Sequence, residues 1–292
     1  QFVLLGLMKN PNMQNITFVL FFVIYIITVV GNVPIVVTII VSPLLGSRMY
    51  YFLVYLSFID ACYSSVNTPK LIIDSLHEKT IPFSGCMTQV LGEHFFGGEI
   101  ILLTVMAYDL YVAICKPLHY EIIMNWRVCG LLVGVAWVGD LLHATIQILF
   151  MFRLHFCGPN IIDYFMCDLN PLLTLACADT HTLGHFVTAN SGSCPLSFLL
   201  CLSLTWSTCS PHQNHSLEGR LNALSTCASH VTVVVLFFVP CTFVSILPID
   251  KAVAVFYSIL TPVLNPLIFT LRNDQFFKFL LKFRKKKEID TK

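Results

Sequence analysis

Charge is what this chain has least of. Lysine, arginine, aspartate and glutamate make up 11% of its 292 residues, against roughly a quarter in an ordinary soluble domain. A soluble core wrapped in a water-facing surface needs more than that, so composition excludes the ordinary globular class. The few charges nearly cancel, at +1 overall, which argues against a nucleic-acid partner. There is no glycine-rich phosphate loop and no CxxC pair, and the ten histidines lie at scattered places. Nothing sets a nucleophile beside a base, so neither an enzyme nor a cofactor is expected. An internal repeat, a second domain and a low-complexity linker are all missing. Gln1 to Leu7 carries no basic n-region and leads into polar residues, so no cleavable signal peptide is expected there.

Apolar residues fill the space instead: 56% of the chain, with a mean hydropathy of +0.78. Crossing a bilayer takes about 20 mostly apolar residues per helix, because in lipid the backbone finds hydrogen-bond partners only within the helix. Seven stretches qualify, at about 18–41, 50–73, 88–113, 128–150, 186–206, 223–247 and 252–271. The fifth is the weakest. The expectation is an all-α membrane protein in the lipid bilayer, one seven-helix unit with a 1–17 N-terminus and a 272–292 tail. If the N-terminus is outside, Arg48, Lys116, Arg127, Arg220, Arg272 and the basic run of the tail fall on the cytoplasmic side. Only Lys9, Lys70, Lys79, Arg153 and Lys251 then fall outside, the asymmetry the positive-inside rule requires. In the tail, Phe276, Phe277, Leu280 and Leu281 alternate with Lys278, Lys282 and Lys285, which predicts a short helix lying on the inner leaflet.

Of twelve cysteines, Cys86, Cys157, Cys167 and Cys177 fall in segments expected to face the oxidising exterior. An even set there invites disulfides, and four cysteines allow three pairings. The remaining eight read as small apolar packing residues.

Residues 106 to 120 read Met-Ala-Tyr-Asp-Leu-Tyr-Val-Ala-Ile-Cys-Lys-Pro-Leu-His-Tyr, at the end of the third apolar stretch. Gly31-Asn32 stands in the first stretch, Leu56-Ser57-Phe58-Ile59-Asp60 in the second and Trp137 in the fourth. Ala223 to His230 opens the sixth, and Pro262-Val263-Leu264-Asn265-Pro266-Leu267-Ile268-Phe269 lies in the seventh. In this order the set resembles the markers of vertebrate olfactory receptors, rhodopsin-like receptors that signal through a heterotrimeric G protein.

The resemblance implies several sites. It selects Cys86 with Cys167 and Cys157 with Cys177 as disulfides. It implies a mostly apolar cavity for a small-molecule odorant, lined by Glu93, His94, Gly97, Gly98, Phe238 and Tyr257, although ordinary helix packing explains the aromatics equally well. Asn32, Asp60, Glu99 and Asn265 correspond to a polar cluster beneath the ligand pocket that accommodates a cation. Two carboxylates there disfavour joint ionisation, so a shared proton or a sodium ion is expected. Coupling to the G protein would run through Asp109, Leu110, Tyr111, Asn265, Pro266 and Phe269. The implied location is the plasma membrane, multi-pass.

The chain also departs from the family pattern. Leu110 replaces an arginine, Phe269 a tyrosine, and the distance from Cys86 to Leu110 is one residue short, with the gap near Gly97-Gly98. One missing residue turns half of a helix by about 100° against the other half, so the third helix must kink or bulge. From Ser193 to Asn214 the text is unrelated to the family, and Pro195 and Pro211 are expected to shorten the fifth helix. Pro34 and Asp140 are unfavourable inside spans, each at about 3 kcal/mol. Three readings follow: an odorant receptor, a degenerate non-signalling receptor held in the endoplasmic reticulum, and, more remotely, a transporter or channel. Asn15-Ile16-Thr17 is a glycosylation sequon close to the first span.

Overall fold

The computed structural model describes residues 1–7, 11–41, 47–76, 79–157, 160–177, 181–209, 217–246 and 251–271. Side chains at 11–13, 181–193, 209, 217–224, 243–246, 252–253, 257 and 269–271 lie outside that description, as does the tail from 272 on with its expected surface helix. Seven helical passes follow the seven apolar stretches. They are α1 (Pro11–Val41), α2 (Arg48–Asp74), the pair α3 (Phe83–Phe96) and α4 (Glu99–Cys115), α6 (Trp126–Arg153), α8 (His181–Cys209), α9 (Leu217–Ile246), and a last pass of α10 (Lys251–Val255), a wide π turn at Phe256–Leu260 and α11 (Thr261–Leu271). Short helices α5 (Tyr120–Ile123) and α7 (Leu169–Leu173) lie between passes.

Among the described residues, four helices are long and apolar enough to cross a membrane: Gln14–Val41, Phe83–Cys115, Trp126–Arg153 and Ser225–Thr242. Two shorter apolar helices, Cys194–Thr208 and Ser258–Ile268, lie in the fifth and seventh passes. The second pass falls outside both groups for a legible reason. It buries Ser57, Asp60, Ser64, Asn67 and Thr68 beside its apolar core residues, so inward-facing polar groups lower the hydropathy of the whole helix. The first pass is the opposite case: Val19, Phe22, Val23, Ile26, Ile27, Val30, Val33 and Val37 are all exposed. Such a stripe on a helix face belongs against lipid rather than water.

Two sequence expectations about helix breaks meet different outcomes. The third pass is interrupted at Gly97 (ψ 0°) and Gly98 (ψ 20°), the pair at which a kink or bulge is expected. The fifth pass is not shortened by Pro195, which sits inside a continuous α8, as Pro34 sits inside α1. A proline removes one backbone hydrogen bond and can bend a helix without ending it.

One end of the bundle carries a small sheet. β1 (Phe2–Leu4) lies between β2 (Thr80–Ile81), antiparallel with Phe2 opposite Ile81, and β3 (Ile161–Ile162), parallel with Val3 opposite Ile161. Phe2 and Leu4 are buried there with Cys86, Val90, Met151 and Leu172. Cys86 and Cys167 stand at disulfide distance with Cα atoms 5.4 Å apart, and Cys157 and Cys177 likewise at 5.7 Å. Phe52, Leu56, Leu103, Phe237 and Phe238 lie in the central core between α2, α4 and α9.

Candidate functional site

Three buried polar groups meet at the centre of the bundle. The Asn265 amide on α11 donates to both carboxylate oxygens of Asp60 on α2, at 3.1 and 3.3 Å, and to Oε2 of Glu99 on α4 at 3.5 Å. All three residues are at most 3% exposed. Glu99 is the first residue of α4, so the glycine break sets where this carboxyl enters. Two carboxylates around one amide cannot both be charged in a dry interior unless a proton or a cation lies between them. Asn32 is not part of this contact. Its amide donates to the Pro262 carbonyl at 3.0 Å and to the Thr28 carbonyl at 3.1 Å, tying α1 to the seventh pass. Gly31, one residue earlier, permits the same approach: a β-carbon there would lie 3.6 Å from Cγ of Pro266.

The end of α4 carries the second element. Asp109 is buried, Leu110 and Tyr111 half-buried. Leu110 offers Asp109 no charge, and the partner comes from elsewhere: the Tyr120 hydroxyl on α5 donates to Oδ1 of Asp109 at 2.9 Å. Arg48, at the start of α2, lies over the Tyr120 ring at 5.1 Å and the Trp126 ring at 5.4 Å. Its guanidinium holds the exposed Glu121 through two parallel N–H···O bonds, and this bonding keeps the Glu121 carboxyl below its ordinary range. Arg48, Tyr120 and Glu121 were not among the expected site residues. The available signal was that Arg48 is the only lysine or arginine between Lys9 and Lys70.

The expected ligand-lining residues divide. Glu93 and His94 close α3, and each keeps one buried side-chain atom, Oε2 and Nε2, with no hydrogen-bond partner among the described residues. His94 faces His143 of α6, ring centroids 6.1 Å apart, and His143 in turn shares a 3.0 Å hydrogen bond with Gln147. Gly97 donates its N–H to the Glu93 carbonyl at 2.7 Å. Gly98 lies directly against the carboxyl of Asp140, with no room for a β-carbon. Asp140 thus faces the helix break rather than lipid. Phe238 is buried among Phe198 and Phe237, centroids 5.7 and 5.2 Å away, which is core packing. The side chains of Tyr257 and Phe269 lie outside the described residues. His181 and His185, read above as scattered, stand four residues apart on α8; their side chains are also undescribed, and among the described residues no group of three metal-binding side chains occurs.

Comparison with known proteins gives a consistent result. The family model described as Olfactory receptor matches residues 21–287. Human olfactory receptor 4A47 is 53% identical over 282 residues, covering 94% of this chain and 91% of that receptor. Human olfactory receptor 4X2 is 52% identical, covering 95% of this chain and 94% of that one. Mouse olfactory receptor 4B13 is 48% identical, covering 94% and 93%.

Proposed function

The chain belongs to the olfactory receptor family, and from that premise we propose how its particular residues do the work of an odorant receptor, a multi-pass membrane protein that binds small molecules and couples to a G protein. It is not an enzyme. Receptors of this family are seven-helix bundles, which sets aside the transporter reading. The disulfide-bearing end is assigned to the outside and the Asp109 end to the cytoplasm. The excess of lysine and arginine at the second end supports that orientation, as does the requirement of disulfides for an oxidising compartment. The cell surface is the assigned location.

The observation that carries the mechanism is the Asn265 amide held between Asp60 and Glu99. It joins the second, third and seventh passes directly below the glycine break, between the expected ligand residues and the Asp109 motif. A molecule bound near Glu93 and His94 presses on α3. The break at Gly97-Gly98 lets α3 shift relative to α4, and the Asn265 junction transmits the shift to α11. Small odorants offer few polar handles, so shape and dispersion dominate their binding, with the orphaned Glu93 and His94 atoms providing hydrogen bonds for orientation.

A second reading, a receptor that folds but does not signal, rests on Asp109 being held by Tyr120 while Leu110 supplies no guanidinium. Surface staining with a cyclic-nucleotide reporter separates the two, comparing the native chain with Leu110→Arg against an odorant panel. A response from the native chain establishes the signalling receptor. Silence from the native chain at the surface, with a response restored by Leu110→Arg, establishes the second reading.

A further inference from the structure

The stretch from Cys194 to Thr208, expected from its letters to depart from the family pattern, packs in register against the sixth pass. Cys194 of α8 places its Sγ 3.0 Å from Sγ of Cys241 on α9. One turn along α8 and back along α9, Phe198 meets Phe238. Further on, the Thr208 hydroxyl lies 3.2 Å from Sγ of Cys227. Cys194 to Thr208 and Cys227 to Cys241 are equal stretches of about four turns, so one antiparallel seam joins these parts of the two helices, with the cysteine pair as its described rung nearest the disulfide-bearing end. Cys194 is 1% exposed, and the Thr242 hydroxyl, 3.7 Å from its sulfur, closes the other side.

We propose that Cys194 and Cys241 form an oxidation site, a dithiol that closes to a third disulfide and clamps the fifth pass to the sixth. The sulfurs need to approach by only about 1 Å to reach bonding distance, which side-chain rotation supplies. Cys241 lies five residues, about 8 Å, from the end of α9, within reach of a small uncharged oxidant. With a hydroperoxide the step balances. One cysteine thiolate attacks the O–O bond and a sulfur–oxygen bond forms as water, or the alcohol, leaves. The second thiolate then displaces hydroxide from that sulfur, the S–S bond forms and the S–O bond breaks. The hydroxide takes up a proton to leave as water. Two thiols are oxidised and one peroxide is reduced.

The clamp stands beside Phe198 and Phe238, so it fixes the spacing of the two helices whatever the ligand is. Two other buried cysteines face oxygen rather than sulfur: Cys201 the Thr104 hydroxyl at 3.4 Å and Cys129 the Met124 carbonyl at 3.8 Å.

The test uses the full purified chain in detergent micelles, treated with hydrogen peroxide, alkylated with N-ethylmaleimide and digested without reduction. The expected product is a peptide pair joined through Cys194 and Cys241, two hydrogens lighter than the sum of its parts. The melting temperature should rise by on the order of 5 °C. That rise should vanish in Cys194→Ser and in Cys241→Ser and persist in Cys201→Ser. Recovery of both cysteines as maleimide adducts after peroxide, with the Cys86–Cys167 and Cys157–Cys177 links intact, overturns the proposal. If a serine variant fails to fold, the mass of the linked peptide from the native chain decides alone.

Discussion

The Tyr120 hydroxyl donates to Oδ1 of Asp109 across 2.9 Å, and the Arg48 guanidinium lies over the same Tyr120 ring. A cation from the base of the second pass therefore stands one aromatic ring away from an acid whose chain neighbour, Leu110, carries no charge. The acid is buried but not abandoned.

Removing that hydroxyl tests the arrangement. Tyr120→Phe leaves the Asp109 carboxyl buried without its donor, a loss of about 1–3 kcal/mol, seen as a lower melting temperature in detergent. In the Leu110→Arg background the same substitution should cost less, because a guanidinium now stands beside Asp109. Equal losses in the two backgrounds would show that Tyr120 and residue 110 do not share Asp109.

Gly98 and Asp140 form a second coupled pair. Gly98→Ala places a methyl group on the Asp140 carboxyl and should destabilise the bundle by about 1–3 kcal/mol through overpacking. Asp140→Gly removes the obstacle, so in the double variant the alanine should be nearly neutral. A full penalty in the double variant would place the strain in the Gly97-Gly98 backbone instead.

The Asp60, Glu99 and Asn265 junction predicts a response to sodium. Melting temperature should be higher in sodium chloride than in an equal concentration of choline chloride. That difference should disappear when Asp60→Asn and Glu99→Gln are combined, since neither amide carries the charge a cation needs. A sodium effect that survives the double substitution would assign it to another site.

Asp168 predicts a dependence on pH at the outer loop. Burial pushes its carboxyl up, while the Leu169 N–H that it accepts at 2.6 Å pulls the other way. With the folded value above the unfolded one, the protonated form favours the fold. This contribution is complete below about pH 4 and is lost as the pH rises through the folded value. Asp168→Asn keeps the capping oxygen and removes the charge. The variant should melt above the native chain at pH 8, and the gap should close toward pH 4. A gap that does not change with pH would show that Asp168 stays ionised in the fold.

Much of the site was legible in the letters, and the remainder was hidden for identifiable reasons. Asp60, Glu99 and Asn265 are polar residues in apolar stretches, and in lipid such groups must find one another. The glycine pair marked the break in the third pass because glycine is among the residues that hold a helix least firmly. Asn32 was drawn into the same cluster, but its amide found the Pro262 carbonyl first. His94, expected in the ligand cavity, also packs its ring against His143, a contact between the third and fourth passes that helical period does not reveal.

Composition and the ordered markers by themselves determined the fold class, the seven passes and the family, because a bilayer admits few architectures and each pass must be apolar over its length. Tertiary structure alone decided the pairings. Arg48 reaches Tyr120 and Tyr120 reaches Asp109, Asp140 settles against Gly98, and Cys194 on the fifth pass meets Cys241 on the sixth. These contacts join residues distant in the chain. Local propensity carries no information about them; they form where helix packing brings two side chains to the same depth on facing sides.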